Sequence, residues 1–406
     1  MAFITSLRIK NFFSIKDEVT IDFKASQYNI ENNLERLFEF NGEYYNKIIS
    51  FYGANASGKT TVLKAITLLA NVISNENSEQ PLISFKNKFA PIDRATVLSI
   101  SFVIKIENIL KEFFYEVEFS SIKYKNNGIK DELLFESINN SLIVFLKRKE
   151  KNIPYIDENI INGVYTNLSN NKSLIEEFYK FEKRGILKEI YTFFSLLSHV
   201  SNITLYQTEL NTTYRNKETI ARLLDDSIYA KELELFFTTF LNSINIDITK
   251  INVKFKEGDI KQKEFLGLEV LHSINSKEFI EFDLESDGTQ NLIKILMDIF
   301  SAKVMGTPLI IDELDSILHP ALVPIIINLL IENNIQIIYS THNIYNMTFL
   351  QNDEVFLIEK DSNHITTIKP VKDNPNIKGY ENILIHYENG DLGGIPNVKE
   401  IITKII

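Results

Sequence analysis

A glycine-rich loop with the sequence GANASGKT, from Gly53 to Thr60, carries the clearest chemistry in this chain. A G-x-x-x-x-G-K-[ST] loop between a strand and a helix is a phosphate-binding P-loop, because its backbone N–H groups and the helix N-terminus face the anion. We predict that Lys59 contacts the β- and γ-phosphates of a nucleotide and that the Thr60 hydroxyl binds Mg²⁺. The other nucleotide contacts are predicted at Gly53, Asn55, Ala56, Ser57, Gly58 and Thr61.

The sequence on both sides of this loop favours a P-loop over a chance match in a surface turn. A strand-like run from Lys47 to Tyr52 precedes the loop. Apolar residues recur at helical spacing after it, at Val62, Leu63, Ile66, Leu69, Val72 and Ile73. The loop is therefore expected to connect a strand to a helix.

An acidic pair, Asp312 and Glu313, ends the apolar run Leu309 to Ile311. This pattern predicts a buried parallel strand whose carboxyl end faces the ligand. With a P-loop upstream, we expect Asp312 to hold Mg²⁺, directly or through water, and Glu313 to act as general base on the attacking water. The alternative is an ordinary strand followed by an acidic helix cap.

Two further segments could complete a nucleotide site. The first has Ser286 at a predicted helix N-cap and Gly288 in the first helical turn, and by itself it indicates only a well-capped helix. The second ends a predicted strand, Gln336 to Ser340, with His342 close behind. A lone histidine at a strand end is more often a surface residue or a core residue with its hydrogen bonds satisfied, but here it stands where a sensor of the γ-phosphate is expected.

The elements that must position these residues occupy the two ends of the chain. Two strands around a turn are predicted from Phe3 to Phe23, and a hairpin from Val97 to Phe119. The β character continues from about Asp131 to Phe145. Helical spacing follows from Leu174 and again over Ile220 to Phe240. We predict residues 1–123 as the first half of a nucleotide-binding head, 124–248 as a mostly helical insertion, and 249–406 as the second half.

Composition restricts the class of protein. A chain of 406 residues with 44% hydrophobic residues is an ordinary globular protein with room for a large core. We expect no membrane span and no signal peptide, and hence a cytoplasmic location. The absence of cysteine excludes disulfides, cysteine zinc sites and cysteine nucleophiles.

The net charge of −11 argues against a surface devoted mainly to DNA, although a local basic groove stays open. Two basic clusters are predicted to be solvated hairpin edges rather than nucleic-acid contacts. Their members are Lys147, Arg148, Lys149 and Lys151 in the first, and Lys254, Lys256, Lys261 and Lys263 in the second.

In this order, GANASGKT, SDGTQ, LIIDELD and STHN resemble the ABC-type ATPase head of the SMC, RecF and OLD group. The opening ITSLRIKNFFSIKDEVTIDF, DELDSILHP and the closing YENGDLGGIP are similar to stand-alone AAA-family ATPases of prokaryotic defence islands. The resemblance covers residues 1–105 and 265–400. It implies an α/β fold, an ABC-type P-loop ATPase head with a mixed sheet, a β-rich flank and a mostly helical insertion.

The resemblance also implies an ATP site shared between two subunits. The P-loop of one subunit would bind ATP, and Ser286, Asp287 and Gly288 of the other would contact the γ-phosphate. Asp315 matches the D-loop and would link the two sites, and His342 matches the switch histidine.

The chain departs from the family pattern at two places. Phe13 stands where SMC-like heads often carry a basic residue, which puts that nucleotide contact in doubt. A Q-loop glutamine is not placed, since Gln80 lies in the right region without the expected surroundings.

The function implied by this resemblance is an ATPase that uses ATP and Mg²⁺, forms a homodimer or higher oligomer through its ATP sites, and controls a separate nuclease or toxin in phage defence. Only 64 residues (406 − 342) follow His342, fewer than an added nuclease domain usually needs. The alternative is a DNA-binding ATPase of the RecF type in repair or maintenance. A transporter subunit is disfavoured by the insertion and the missing Q-loop, and a kinase or GTPase would leave SDGTQ and STHN without a role.

Overall fold

The computed structural model describes residues 1–74, 85–91, 93–120, 128–138, 141–149, 155–157, 172–200, 227–256, 264–272, 278–375, 377–378 and 381–393. The strands are β1 Phe3–Lys10, β2 Val19–Asp22, β3 Leu37–Phe40, β4 Glu43–Asn46, β5 Ile48–Tyr52, β6 Thr96–Ile106, β7 Ile109–Phe119, β8 Ile129–Ile138, β9 Ser141–Lys149, β10 Tyr155–Ile156, β11 Lys250–Lys256, β12 Glu264–Leu271, β13 Ile280–Glu281, β14 Leu309–Ile311, β15 Ile337–Ser340, β16 Val355–Lys360 and β17 Thr366–Pro370. The α-helices are α1 Gln27–Asn32, α2 Lys59–Ser74, α3 Leu174–Phe178, α4 Ile186–Val200, α5 Ser227–Ser243, α6 Asp287–Met305, α7 Leu314–Ile317, α8 Val323–Glu332 and α9 Ile383–Asn389.

A five-stranded mixed sheet carries the P-loop, in the order β14-β15-β5-β16-β17. The first four strands are parallel, and β17 runs antiparallel to β16. Every residue of β5 is buried, because helices or a second sheet cover both faces. Ile49 and Phe51 belong to the core that contains α2, whereas Ile48 and Tyr52 belong to the core that contains α6 and α8. The predicted mixed sheet is confirmed.

A seven-stranded antiparallel sheet forms the β-rich flank, in the order β10-β9-β8-β7-β6-β1-β2. The predicted N-terminal strand pair is β1 and β2, and the predicted hairpin is β6 and β7, which pair over their whole length. The apolar residues of α2, including Leu63, Ile66 and Leu69, share one core with the inner faces of β1 and β6 and with β5. The P-loop helix is therefore enclosed between the two sheets.

Residues 124–248 contain both strands and helices. Their strands β8 to β10 extend the seven-stranded sheet, so residue 124 falls between two paired strands, β7 and β8. Helix α4 covers the same core, where Phe193 stacks on Phe102 with ring centroids 5.2 Å apart and the Tyr191 hydroxyl donates to Ser74 O at 3.1 Å. The described part of this segment is therefore packed into the head rather than held apart from it.

Two smaller sheets complete the described fold, β11-β12-β13 and β3-β4. Helix α5 packs against α6, with the rings of Phe236 and Phe300 5.8 Å apart. Within the described ranges, no helix has the length and apolar character that a bilayer crossing needs.

Candidate nucleotide-binding site

The P-loop connects β5 to α2, as the sequence predicts, and two distant segments hold it. Gly58 has φ +118°, and a Cβ at this position would lie 2.6 Å from Thr366 Oγ1 and 2.8 Å from Ser14 Oγ. Glycine is therefore required here. The Thr366 hydroxyl donates to Ser57 O at 2.7 Å, and the Thr366 N–H donates to Ser14 O at 3.0 Å.

The P-loop borders a cavity of about 740 Å³, a size typical of small-molecule sites. The residues predicted to bind nucleotide or to act in catalysis that line it are Asn55, Ala56, Ser57, Gly58, Lys59, Thr60, Thr61, Glu313 and His342. Its lysines are Lys59, Lys64, Lys86, Lys88 and Lys360. This concentration of positive charge, in a chain whose net charge is −11, favours an anionic ligand.

Lys59 is 5% exposed and lies at the wall formed by the P-loop. Its ammonium donates to Gly53 O at 2.8 Å and to Ala54 O at 3.1 Å, and it lies 3.3 Å from His342 Nδ1. Because an ammonium only donates, Nδ1 of His342 accepts, and the neutral imidazole carries its proton on Nε2. Nε2 lies 3.9 Å from Glu313 Oε1, which is near this carboxylate but beyond hydrogen-bond distance.

The carboxylates near Lys59 affect its charge. Burial lowers the pKa of the Lys59 ammonium below its usual value, and Asp312, Glu313 and Asp315 counteract part of this shift. Asp315 Oδ1 also accepts a hydrogen bond from the backbone N–H of His342 at 3.1 Å. The fold thus brings together the P-loop lysine, the acidic pair, Asp315 and His342, which lie far apart in the sequence.

Ser340, a fully buried residue at the end of β15, orients both members of the acidic pair. Its hydroxyl donates to Asp312 Oδ1 and accepts the Glu313 N–H at 2.8 Å. Glu313 has a left-handed backbone with φ +51°, a strained conformation for a residue other than glycine. Sequence reasoning missed Ser340, although it stands directly before Thr-His in the STHN segment.

The donor set fits Mg²⁺ bound together with phosphate. Mg²⁺ usually takes one or two carboxylates, with substrate phosphates and water completing its coordination. Asp312 offers an oriented carboxylate, and Thr60 offers a hydroxyl at the cavity. In the part of the chain that the structure describes, His, Cys, Asp and Glu side chains form no group of three or more suited to a metal ion.

Ser286, Asp287 and Gly288 lie apart from this cavity, at the N-terminus of α6. All three are exposed. Ser286 is the N-cap, as predicted, and its hydroxyl accepts the Thr289 N–H at 3.2 Å. At Gly288, apart from its chain neighbours and the backbone of its own helix, no described atom lies within 4 Å of the place that a Cβ would take. Within one copy of the chain, these three residues do not line the P-loop cavity.

Phe13 forms another wall of the cavity, and a lysine accompanies it. The Lys64 ammonium, from the second turn of α2, lies 5.5 Å from the centre of the Phe13 ring, within cation–π range. A positive charge is thus present beside the position where the family pattern has a basic residue. Sequence reasoning missed Lys64, Lys86, Lys88 and Lys360, because nothing in their local sequence sets them apart. Gln80 lies outside the described residues.

The P-loop between a parallel strand and its helix, the acidic pair at the end of β14, and the mixed sheet beside an antiparallel flank define an ABC-type ATPase head. The chain belongs to the family described as "AAA domain, putative AbiEii toxin, Type IV TA system", whose model matches residues 48–347. No curated protein matches the chain in sequence.

Three solved structures of SMC heads match this chain, and one of them has a TM-score above 0.5. An SMC head bound to the C-winged helix domain of ScpA is 13% identical, with a TM-score of 0.52 over 90% of this chain and 97% of that one. The SMC head domain from Thermotoga maritima is 15% identical, with a TM-score of 0.39 over 90% and 98%. An SMC head with an extended coiled coil, bound to the C-terminal domain of ScpA derived from Pyrococcus furiosus, is 13% identical, with a TM-score of 0.48 over 91% and 96%. At such identity, the first of these likenesses shows the fold alone.

Proposed function

We propose that this chain binds ATP with Mg²⁺ in the P-loop cavity and hydrolyses it to ADP and phosphate. The observation that carries the proposal is the convergence of Lys59, Glu313 and His342 on one lysine-rich cavity. Lys59 would bind the β- and γ-phosphates, while Thr60 and Asp312 would hold Mg²⁺. Membership of an AAA domain family supports nucleotide use.

Glu313 is the residue that we assign to the attacking water. Its side chain is 53% exposed and lines the cavity, so it can accept a proton from water there. Nε2 of His342 lies 3.9 Å from the same carboxylate, and with ATP bound it would orient Glu313 or contact the γ-phosphate. A positioned general base contributes about 10²- to 10⁴-fold to a rate, which sets the scale for its removal.

We further propose that two copies of the chain share each ATP site. The N-terminus of α6 is exposed, and free N–H groups at a helix N-terminus suit phosphate oxygens. In a dimer, Ser286, Asp287 and Gly288 of one copy would contact the γ-phosphate held by the other, and Asp315 would link the two sites. ATP bound between subunits would then stabilise the dimer by mass action.

The dimer is proposed to control a separate effector, a nuclease or toxin, in phage defence. The family description names a toxin and a toxin–antitoxin system, which supports a connection of this kind. The SMC head of similar fold is bound to a domain of another protein, ScpA. That complex supports the idea that such a head can bind a protein partner.

A DNA-binding role of the RecF type remains the alternative, and one basic cluster offers it little support. Arg148 is buried and forms an ion pair with Glu132 at 3.3 Å rather than lying in solvent, which corrects its prediction as part of a solvated edge. Lys147 and Lys149 lie beside the acidic residues Glu116, Glu118 and Asp131. This surface therefore mixes both signs of charge. In the second cluster, Lys261 and Lys263 lie outside the described residues.

Binding of ATP to the Lys59→Ala variant tests the assignment of the cavity. We expect affinity to fall at least about 100-fold, because the variant loses the cation at the phosphates. Lys294→Ala, on the exposed side of α6, is the matched control and should bind ATP like the wild type. Equal ATP affinity in the two variants would refute the proposed site.

The effector proposal calls for a pull-down of tagged Glu313→Gln protein from its native cells in the presence of ATP. Recovery of a nuclease or toxin, lost when Lys59→Ala is also present, would support the proposal. Recovery of DNA alone would favour the RecF-type alternative.

A further inference from the structure

We propose that Phe89 and His364 form a stacking platform for the base of the bound nucleotide, and that the site therefore takes purine nucleoside triphosphates with little discrimination between adenine and guanine. This inference rests on the proposed binding of ATP in the P-loop cavity. It gives a role to Phe89 and His364, two residues that line the cavity and lie outside the phosphate-binding motifs.

Both rings line the P-loop cavity, and they are nearly parallel. Their centroids lie 5.9 Å apart with an interplanar angle of 16°. Phe89 is 59% exposed, and His364 is exposed as well. A base presents a flat π-face that stacks well on aromatic rings, whereas the lysines of the same cavity suit the triphosphate.

Phe89 is held in place by a buried asparagine. Asn87 is 2% exposed, and its Oδ1 accepts the Phe89 N–H at 2.9 Å, while its Nδ2 donates to Phe13 O at 2.6 Å. The Asn87 N–H in turn donates to the side chain of Asn11 at 3.2 Å. Asn11 directly follows β1, has a left-handed backbone and is fully buried. The backbone that carries the Phe89 ring is therefore anchored to the core.

His364 is held by a tight turn between β16 and β17. The Asp361 carboxylate accepts the N–H groups of Asn363 at 2.9 Å and Ile365 at 2.8 Å. His364 has φ +60°, and its N–H donates to Asp361 O at 3.0 Å. This bonding fixes the direction in which the imidazole leaves the turn.

The same hairpin is bonded to the P-loop on both sides of His364. Before the turn, Lys360 Nζ donates to Ala56 O at 3.3 Å, and after it the Thr366 hydroxyl donates to Ser57 O at 2.7 Å. The platform and the phosphate-binding loop are thus held at a set distance from each other. A preorganised site of this kind loses little entropy when it orders a ligand.

Stacking determines which ligands this platform favours. It depends on ring area and is tolerant of base identity, since every base has a π-face. Purines offer a larger face than pyrimidines. We therefore expect ATP and GTP to bind within about threefold of each other, and CTP and UTP to bind several-fold more weakly.

A tryptophan at position 89 provides a direct test, because the chain contains no tryptophan. In the Phe89→Trp variant, ATP should quench the single indole fluorescence, while inorganic tripolyphosphate, which has no base, should not. Phe181→Trp is the control, since Phe181 is 62% exposed and does not line the cavity. Its fluorescence should respond to neither ligand.

Calorimetry on Phe89→Ala and His364→Ala separates base contacts from phosphate contacts. Each variant should lose about tenfold in ATP affinity and keep its affinity for tripolyphosphate, with Phe181→Ala unchanged for both ligands. Unchanged ATP affinity in both platform variants, or equal losses for the two ligands, would overturn the platform. Failure of wild-type protein to bind either ligand would instead refute the proposed nucleotide site itself, and the platform with it.

Discussion

The P-loop end of the molecule and the N-terminus of α6 carry parts of the same predicted chemistry in opposite surroundings. Lys59 is 5% exposed and has three polar neighbours within 3.3 Å, and the hydroxyls of Thr366 and Ser14 occupy the space that a Cβ at Gly58 would need. Gly288 is exposed, and the space around it is open. One region is completed by its own chain, whereas the other presents a helix terminus to the outside.

This difference indicates where a partner would act. Burial and hydrogen bonds already orient the P-loop, Asp312 and Glu313, so nucleotide binding should need only one copy. At the N-terminus of α6, the Ser286 hydroxyl accepts the backbone N–H of Thr289. Ser286, Asp287 and Gly288 are exposed to solvent. Under the shared-site proposal, this terminus should affect hydrolysis without affecting binding.

The largest effect is expected from Glu313→Gln, which removes the proposed base and keeps the shape of the side chain. Turnover should fall about 10³-fold, because water loses its proton acceptor, while ATP affinity should change little. Steady-state phosphate release and calorimetry measure the two quantities. Glu332→Gln, on an exposed part of α8, is the control. Wild-type turnover in Glu313→Gln would rule out the assigned role.

A pair of glycine substitutions compares the two regions directly. Gly58→Ala places a Cβ 2.6 Å from Thr366 Oγ1 and strains the backbone, so we expect ATP affinity to fall about 100-fold. Gly288→Ala meets open space and should leave both ATP affinity and thermal stability close to those of the wild type. Calorimetry and thermal unfolding check both variants. Similar losses of affinity at the two positions would remove the distinction between the regions.

Ser286→Arg places a bulky cation at the proposed interface. We expect hydrolysis to fall at least about tenfold while ATP binding by the isolated subunit stays within about twofold. Ser286→Ala serves as the control for the helix cap, whose loss alone costs about 1 kcal/mol. Full hydrolysis by Ser286→Arg at every protein concentration would show that this surface has no part in catalysis.

The smallest effect concerns pH. Lys59 binds phosphate in its protonated form, and its pKa is lowered by burial, so its charge is lost at a lower pH than that of an exposed lysine. ATP affinity should therefore decline by about twofold between pH 7 and pH 9, where the phosphates are already ionised. The affinity of Lys59→Ala should be flat over this range. An equal decline in both proteins would assign the effect to another group.

The contiguous motifs were the predictable part of the fold and the site. The strand, loop and helix around Lys59 and the buried strand before Asp312 follow from local patterns, and the structure has them. The supports of the site were not predictable, because Ser340, Thr366 and Ser14 come from distant segments and have ordinary sequence surroundings.

Mixing two inactive variants tests the central claim most directly. Lys59→Ala lacks a working P-loop, and Ser286→Arg lacks a working α6 terminus, so a dimer of one copy of each retains one complete shared site. With random pairing, half of the dimers carry one active site out of two, and the mixture should recover about a quarter of the wild-type ATPase activity. Activity in the mixture that equals the sum of the two separate proteins would contradict a shared site.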